Sequence, residues 1–319
     1  MSVLPPVPPT VEWIPWGVAT EPPDAPGLTA LTCAALFGTD TFRVGHRCSG
    51  ITRHTGPAGV LPDQRLADVD LGALRRTLVA ERAHRLGDRG WLVRRALHRV
   101  AWGEACVDAL PGEAAAAAIT DRQIVEHARA VEEFLASGVG LVTSSDTLTW
   151  RGGLYYGARD NHRVAMGVQM PWPSEPSDGE SALIAATYLG RVGAPGRLVQ
   201  VLAQRQVPYY AAAATPAVEH GVPCLSIGLS TVADHAVGLL EAVRDMLRCL
   251  RRSGIPSQEL HRLRAGAELY EAVHPSSGPF DRRAEDPAGP VQPAVPAVAV
   301  IGRLPEETVA RVREAVREW

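Results

Sequence analysis

Three stretches of the chain hold residue types that could do chemistry. FRVGHRCSGITRHTG brings His46, Cys48 and His54 together, the donor types of a transition-metal site. Donors crowded into a polar, Gly-containing stretch are a weak metal signal, and a surface loop is the favoured reading. TSSD (143–146) offers two serines beside an aspartate. No histidine accompanies them, and a serine nucleophile needs an adjacent base, so a linker is favoured there. PGLTALTCAALFGT (26–39) places a thiol, Cys33, in a short helical frame with a Pro-Gly entry and a Phe-Gly-Thr exit. No Cys-x-x-Cys pair, phosphate-loop pattern or Gly-x-Gly-x-x-Gly following a strand is present.

The elements that must position these residues follow from periodicity. EWIPWGVAT (12–20) reads as a strand, PGLTALTCAALF as a helix, and the stretch 42–60 as a loop. Residues 68–86 space Leu71, Leu74, Leu78 and Val79 as a helix does, and RGWLVRRALHRVAWG stacks Leu92, Ala96, Leu97 and Val100 on one face. ITDRQIVEHARAVEEFLASG (119–138) opens with Thr120 and Gln123 in capping-box spacing. VGLVTSSD then reads as a strand closing a first domain.

In the second half, LTWRGGLYYGAR and HRVAMGVQMPW (148–172) look like paired strands. A helix follows over 177–190, capped by SDGE, and another in GAPGRLVQVLAQRQ with Pro195 near its start. YYAAAATP and PCLSIGLST read as strands, 234–254 and 255–273 as amphipathic helices, and 274–296 as a Pro/Gly-rich excursion. AVAVIG and PEETVARVREAVREW are the last strand and helix. The expectation is α+β: two related domains, 1–146 and 147–319, each an antiparallel-rich sheet with helices on one face.

The 319 residues suffice for two such domains. The hydrophobic share of 46% and charged share of 21% are those of a soluble globular protein. No run approaches the length of a membrane span, and MSVLPPVPPT lacks the basic start and apolar stretch of a secretion signal. A cytoplasmic location is the expectation, with no membrane partner. The net charge of −3 with scattered cations gives no electrostatic case for nucleic acid. All 32 basic residues are arginine, as in high-GC bacterial chains, which excludes lysine chemistry. The five cysteines are odd in number and widely spaced, and read as buried thiols.

The second half resembles the C-terminal domain of pitrilysin/insulinase-type zinc peptidases, the inverted zincins, and their mitochondrial processing peptidase relatives. The residues carrying the resemblance are GRLVQVLAQRQVPYYAAAATP, a strand ending SIGLST, DHAVGLLEAVRDMLRCL and SGIPSQELHRLRAGAEL. They match the family's Gly-x-Leu helix, its Arg-Gly-Leu-Ala-Tyr turn and its late Glu-Leu helix. The first half is similar more loosely, and 40–65 and 274–296 depart.

The family's His-x-x-Glu-His helix supplies two zinc ligands and a base. Laid on PGLTALTCAALFGT, the motif positions carry Ala30, Cys33 and Ala34, so the resemblance implies a zinc helix without its zinc chemistry. Glu81 takes the place of the third ligand, at a shorter spacing that implies a shortened first domain. A solvated or ion-paired helix residue is its favoured reading. The family's substrate-holding tyrosine falls on Tyr210, and the arginine before it on Ala203. Arg205 offers a guanidinium two positions on, about 200° round the helix.

The implied function is a catalytically inactive subunit that pairs with a zinc-bearing homologue in a heterodimer processing a peptide or precursor. No metal or cofactor is expected in this chain, the zinc belonging to the partner. The alternatives are a stand-alone peptide-binding scaffold, or a repurposed enzyme with its site around His46, Cys48 and His54.

Overall fold

A computed structural model of the chain describes residues 10–14, 21–22, 24–37, 45–47, 50–55, 68–103, 110–137, 149–172, 182–190, 196–219, 222–273 and 295–319. These fall into two compact units, and each is built from non-contiguous segments. The first comprises Met1–Gly87, Ala105–Leu148 and Val273–Glu285; the second Asp88–Glu104, Thr149–Ala272 and Asp286–Trp319.

In the first unit, β1 (Thr10–Ile14), β2 (Gly45–Arg47) and β3 (Gly50–Thr55) form an antiparallel sheet in the order β1-β3-β2. The loop expected over 42–60 thus contains two strands. Its glycines and charged residues suppress a local strand signal, but Ile51–Thr55 pairs with a distant β1, and such pairing overrides propensity. The helices are α1 (Leu28–Phe37), α2 (Leu71–Arg85), α4 (Glu113–Ala118) and α5 (Asp121–Ser137). Asp70 caps α2 by accepting from Ala73 N at 2.8 Å. At α5 the capping box is complete. Gln123 N donates to Thr120 Oγ1 at 3.2 Å, and Thr120 N donates to Gln123 Oε1 at 2.8 Å. Leu31, Leu74, Leu78, Ile119 and Ile124 join this unit's core.

The second unit is organised on a five-stranded mixed sheet in the order β4-β8-β5-β7-β6. Its strands are β4 (Gly153–Gly157), β5 (Arg163–Pro171), β6 (Ala211–Glu219), β7 (Val222–Val232) and β8 (Ala297–Ile301). The strands β4 and β5 are therefore not each other's partners. β8, from the far end of the chain, enters between them, parallel to β4 and antiparallel to β5. The apolar run AVAVI gains burial on both faces there, which an edge position would not give it.

One face of the sheet packs on α6 (Ala182–Leu189), α7 (Arg197–Gln204), α8 (Ala236–Ser253) and α10 (Glu306–Arg317) around Met166, Val168, Leu225, Ile227 and Val300. α9 (Ser257–Val273) adds Leu260 and Leu263 to its edge. The other face carries α3 (Arg89–Trp102), although this helix ends well before the sheet's first strand, β4, begins at Gly153. Gly167 makes its approach possible. A Cβ there would lie 2.5 Å from Val93 Cγ1 and 2.7 Å from Leu97 Cδ1. Among the described cysteines, Cys33 and Cys224 are buried and Cys249 is exposed, against the expectation that all are buried. Cys48 and Cys106 lie outside the described residues, as do the expected strand VGLVTSSD and the caps at SDGE and Pro195.

Candidate functional site: a buried helix and an exposed arginine–tyrosine pair

Helix α1 begins at a turn that its own sequence closes. Gly27 adopts φ +95°, and a Cβ there would meet Pro111 Cβ at 2.6 Å, so glycine is required. The carboxylate of Glu21 accepts from Gly27 N at 2.7 Å and Thr29 N at 2.8 Å, satisfying donors that the helix leaves open. Burial pushes the Glu21 carboxyl up to about 7, against the opposing pull of the Gly27 and Thr29 hydrogen bonds.

Every residue from Leu28 to Leu36 is buried except Ala34, which is half-buried. Ala30 and Cys33 therefore sit inside a core. Thr32 Oγ1 lies 2.9 Å from His127 Nδ1 on α5. Burial pulls His127 down to about 4, which keeps its imidazole neutral at pH 7. Burial also pushes the Cys33 thiol far up, and the Glu21 charge adds to the effect.

These groups do not fit a zinc ion. The two histidine positions of the resemblance carry methyl groups, and the remaining thiol resists the deprotonation that metal binding requires. Glu81, on α2, is half exposed and ion-paired to Arg85 one turn on, and exposed i,i+4 pairs contribute little. Among the described residues no group of three His, Cys, Asp or Glu side chains is placed to hold a metal. His46 pairs with Ile51 in the β2–β3 ladder and His54 with Val11 in the β1–β3 ladder. Cys48 and TSSD (143–146) lie outside the described residues.

The tyrosine turn follows α7. Gln206 N donates to Ala203 O at 3.1 Å and Val207 N to Leu202 O at 3.0 Å, the two bonds of a Schellman motif. Gln206 has φ +53° and occupies the left-handed position where glycine is usual. That geometry sets the register of the turn. Val207-Pro208-Tyr209-Tyr210 leads from this turn into β6. Tyr209 is half-buried against the large core.

Arg205 and Tyr210 have different partners. Arg205 pairs with Asp245 of α8 at 2.9 Å. Tyr210 is 56% exposed, and the guanidinium of Arg163 lies 4.4 Å from its ring centroid. Periodicity gave no reason to single out Arg163, since the contact crosses from β5 to the start of β6.

The outer edge beside Tyr210 is closed. Ala214 N donates to Gly190 O at 2.8 Å, and Pro216 has no N–H. Both devices protect an edge strand from further pairing.

Residues 152–267 match the family model described as the peptidase M16 inactive domain. A chain in the structure titled "Complex III2 from Candida albicans, Inz-5 bound" is similar over 96% of this chain and 93% of that one, with a TM-score of 0.66 at 10% identity. The crystal structure of a peptidase M16 inactive domain from Pseudomonas fluorescens matches 92% of this chain and 91% of that one, with a TM-score of 0.61 at 12% identity. No curated protein matches the sequence.

The fold is thus the α+β architecture of M16-type chains. Within that fold, the likeness to the peptidase M16 inactive domain is carried in sequence by residues 152–267. No helix of the described residues is long and apolar enough to cross a membrane.

Proposed function

We propose that the chain is the non-catalytic half of a heterodimer with a zinc-bearing homologue, and that the pair processes a peptide or precursor peptide. The observation supporting this reading is helix α1. The helix is kept and fully packed, yet its motif positions are Ala30, Cys33 and Ala34, and burial holds the one thiol protonated. Chemistry performed by such a pair must come from the other subunit.

The closed outer edge of β6 narrows where an extended peptide would pair. Strand addition needs free N–H and C=O groups in a row. In the described structure, β4 and the outer strands of the three-stranded sheet are the remaining edges. An open β6 edge is not part of the proposal.

The test is co-expression with a homologue carrying the intact zinc motif, followed by metal analysis and peptide cleavage of each chain and of the pair. The expected outcome is a 1:1 complex with zinc in the homologue alone and full cleavage only by the pair. Stoichiometric zinc on this chain by itself, or two chains that do not co-purify, would overturn it. A stable homodimer that binds peptide without a homologue would replace it with the stand-alone scaffold.

A further inference from the structure

The connection between β4 and β5 builds a small rigid platform at one end of the five-stranded sheet. Asn161 Oδ1 accepts from Arg163 N at 2.9 Å, and Asn161 N donates to Arg159 O at 2.8 Å. Gly302 N donates to Gly157 O at 3.1 Å, tying the platform to the chain that follows β8. Arg159, His162, Arg163 and Arg303 are all exposed there. Asp160 is the single acid of this turn, and it pairs with Arg303 at 3.2 Å. Among the described residues, neither Arg159 nor Arg163 has a carboxylate partner.

Arg163 is nevertheless held in place. Its guanidinium lies over the exposed Tyr210 ring at 4.4 Å. Cation–π stacking fixes the plane of the guanidinium while leaving its N–H edge open to solvent. An open, planar donor edge matches a carboxylate, which it can grip through two parallel hydrogen bonds. Tyrosine and arginine are also the residue types most enriched where binding energy concentrates. The surplus of cations is local, because the whole chain carries a net charge of −3.

We infer that Arg163, stacked on Tyr210 and flanked by Arg159, is a docking site for a carboxylate-bearing segment of a partner polypeptide. The acidic side chain meets the guanidinium edge and aliphatic atoms cover the tyrosine. A nucleic acid fits the platform poorly, since tracking a phosphate backbone takes a longer run of cations than this turn supplies. The closed β6 edge makes the site one of side-chain recognition, not strand addition. This inference stands apart from the zinc-bearing homologue, because it concerns the chain by itself.

The experiment uses the full chain with a fluorescein-labelled peptide of alternating Glu and Ala, the same peptide with Gln for Glu, and a DNA duplex. Binding is read by fluorescence anisotropy at low and high salt. The Glu peptide is expected to bind and the Gln peptide to bind at least about tenfold more weakly. Arg163→Ala should weaken the Glu peptide about tenfold, and Arg163→Lys should fall between, since an ammonium keeps the charge but loses the fork. Tyr210→Ala leaves the charge unchanged and should still weaken binding about threefold, whereas Tyr210→Phe keeps the stacking face and the affinity. Both side chains are exposed, so thermal denaturation should be unchanged. If Arg163→Ala does lower the melting temperature, Arg163→Lys carries the reading. Equal binding of the Glu and Gln peptides, an unchanged Arg163→Ala or Arg163→Lys, or binding of DNA without peptide would each overturn the inference. An unchanged Tyr210→Ala would overturn the stacked pair.

Discussion

Helices α1 and α8 are both core helices, and they are buried in different ways. α8 is amphipathic. Leu239, Leu240, Val243, Met246, Leu247 and Leu250 face a large apolar core, and Arg251 and Arg252 stay exposed in its last turn. α1 is buried on almost all sides, and polar groups go in with it: Thr29 and Thr32 within the helix, Glu21 at its start and His127 against Thr32. In the second unit the buried polar side chains are Gln169 and Thr231. The first unit therefore depends on protonation and hydrogen bonding, the second on apolar fit. Enclosure of α1 is possible because Ala30, Cys33 and Ala34 are small.

The largest expected effect comes from reversing that substitution. Ala30→His, Cys33→Glu and Ala34→His together restore the zinc motif's residue types, but two of the three positions lie in the core. Burying a carboxylate and an imidazole without room or partners should cost at least about 5 kcal/mol, enough to unfold the first unit. Denaturant melts with hydrogen exchange would locate the loss, and metal analysis should find no stoichiometric zinc. A folded triple variant that binds zinc would show that α1 still opens to a ligand site.

Titration sharpens the same contrast. Glu21 has its folded value raised from 4.5 to about 7. Its contribution to stability is therefore fully present below 4.5 and is lost as pH rises through about 7. His127 has its value lowered from 6.5 to about 4. Its contribution is present above 6.5 and is lost as pH falls through about 4. Between roughly 4.5 and 6.5 the two slopes oppose each other, and the first unit should show a nearly flat stability profile. Glu21→Gln should uncover a rise with pH over that range, and His127→Gln a fall, each of about 3 kcal/mol at most. Urea midpoints measured from pH 4 to 7.5 check both. A flat profile in either variant would remove the group from the account.

How much of this was visible in advance depended on how local the cause was. The capping box at Thr120 and Gln123 and the long helix closed by Gly254 need only near neighbours, and both form as read. The placement of β8 between β4 and β5 needs a partner some 140 residues away, and nothing within 148–172 encodes it. β3 was hidden for the same reason. At the candidate site, the absence of histidine and carboxylate side chains at Ala30, Cys33 and Ala34 was legible as residue types. Their burial was not, because it depends on α2 and α5. Glu21 as a cap, and Arg163 over Tyr210, are contacts that no period predicts.

A steric test addresses the second unit alone. Gly167→Ala places a methyl within 2.5 Å of Val93 and 2.7 Å of Leu97, in a face of the sheet that α3 already fills. Overpacking of this kind should cost about 2 kcal/mol without changing the pH profile set by Glu21 and His127. Thermal melts at two pH values separate the effects. A pH-dependent loss in Gly167→Ala would mean that the two units do not differ in the way described.

The smallest effect tests the turn that ends α7. Gln206 holds φ +53° at the end of α7, in the left-handed region where a side chain is strained and glycine is not. Gln206→Gly should remove that strain, while the added freedom of the unfolded chain works against it. Because the native conformation is one that Gln resists, relief should win, with a gain of about 0.5–1 kcal/mol. A more stable Gln206→Gly would show that the left-handed backbone at this turn is strained by its side chain. A loss of stability would mean that the Gln206 side chain contributes more than its backbone costs.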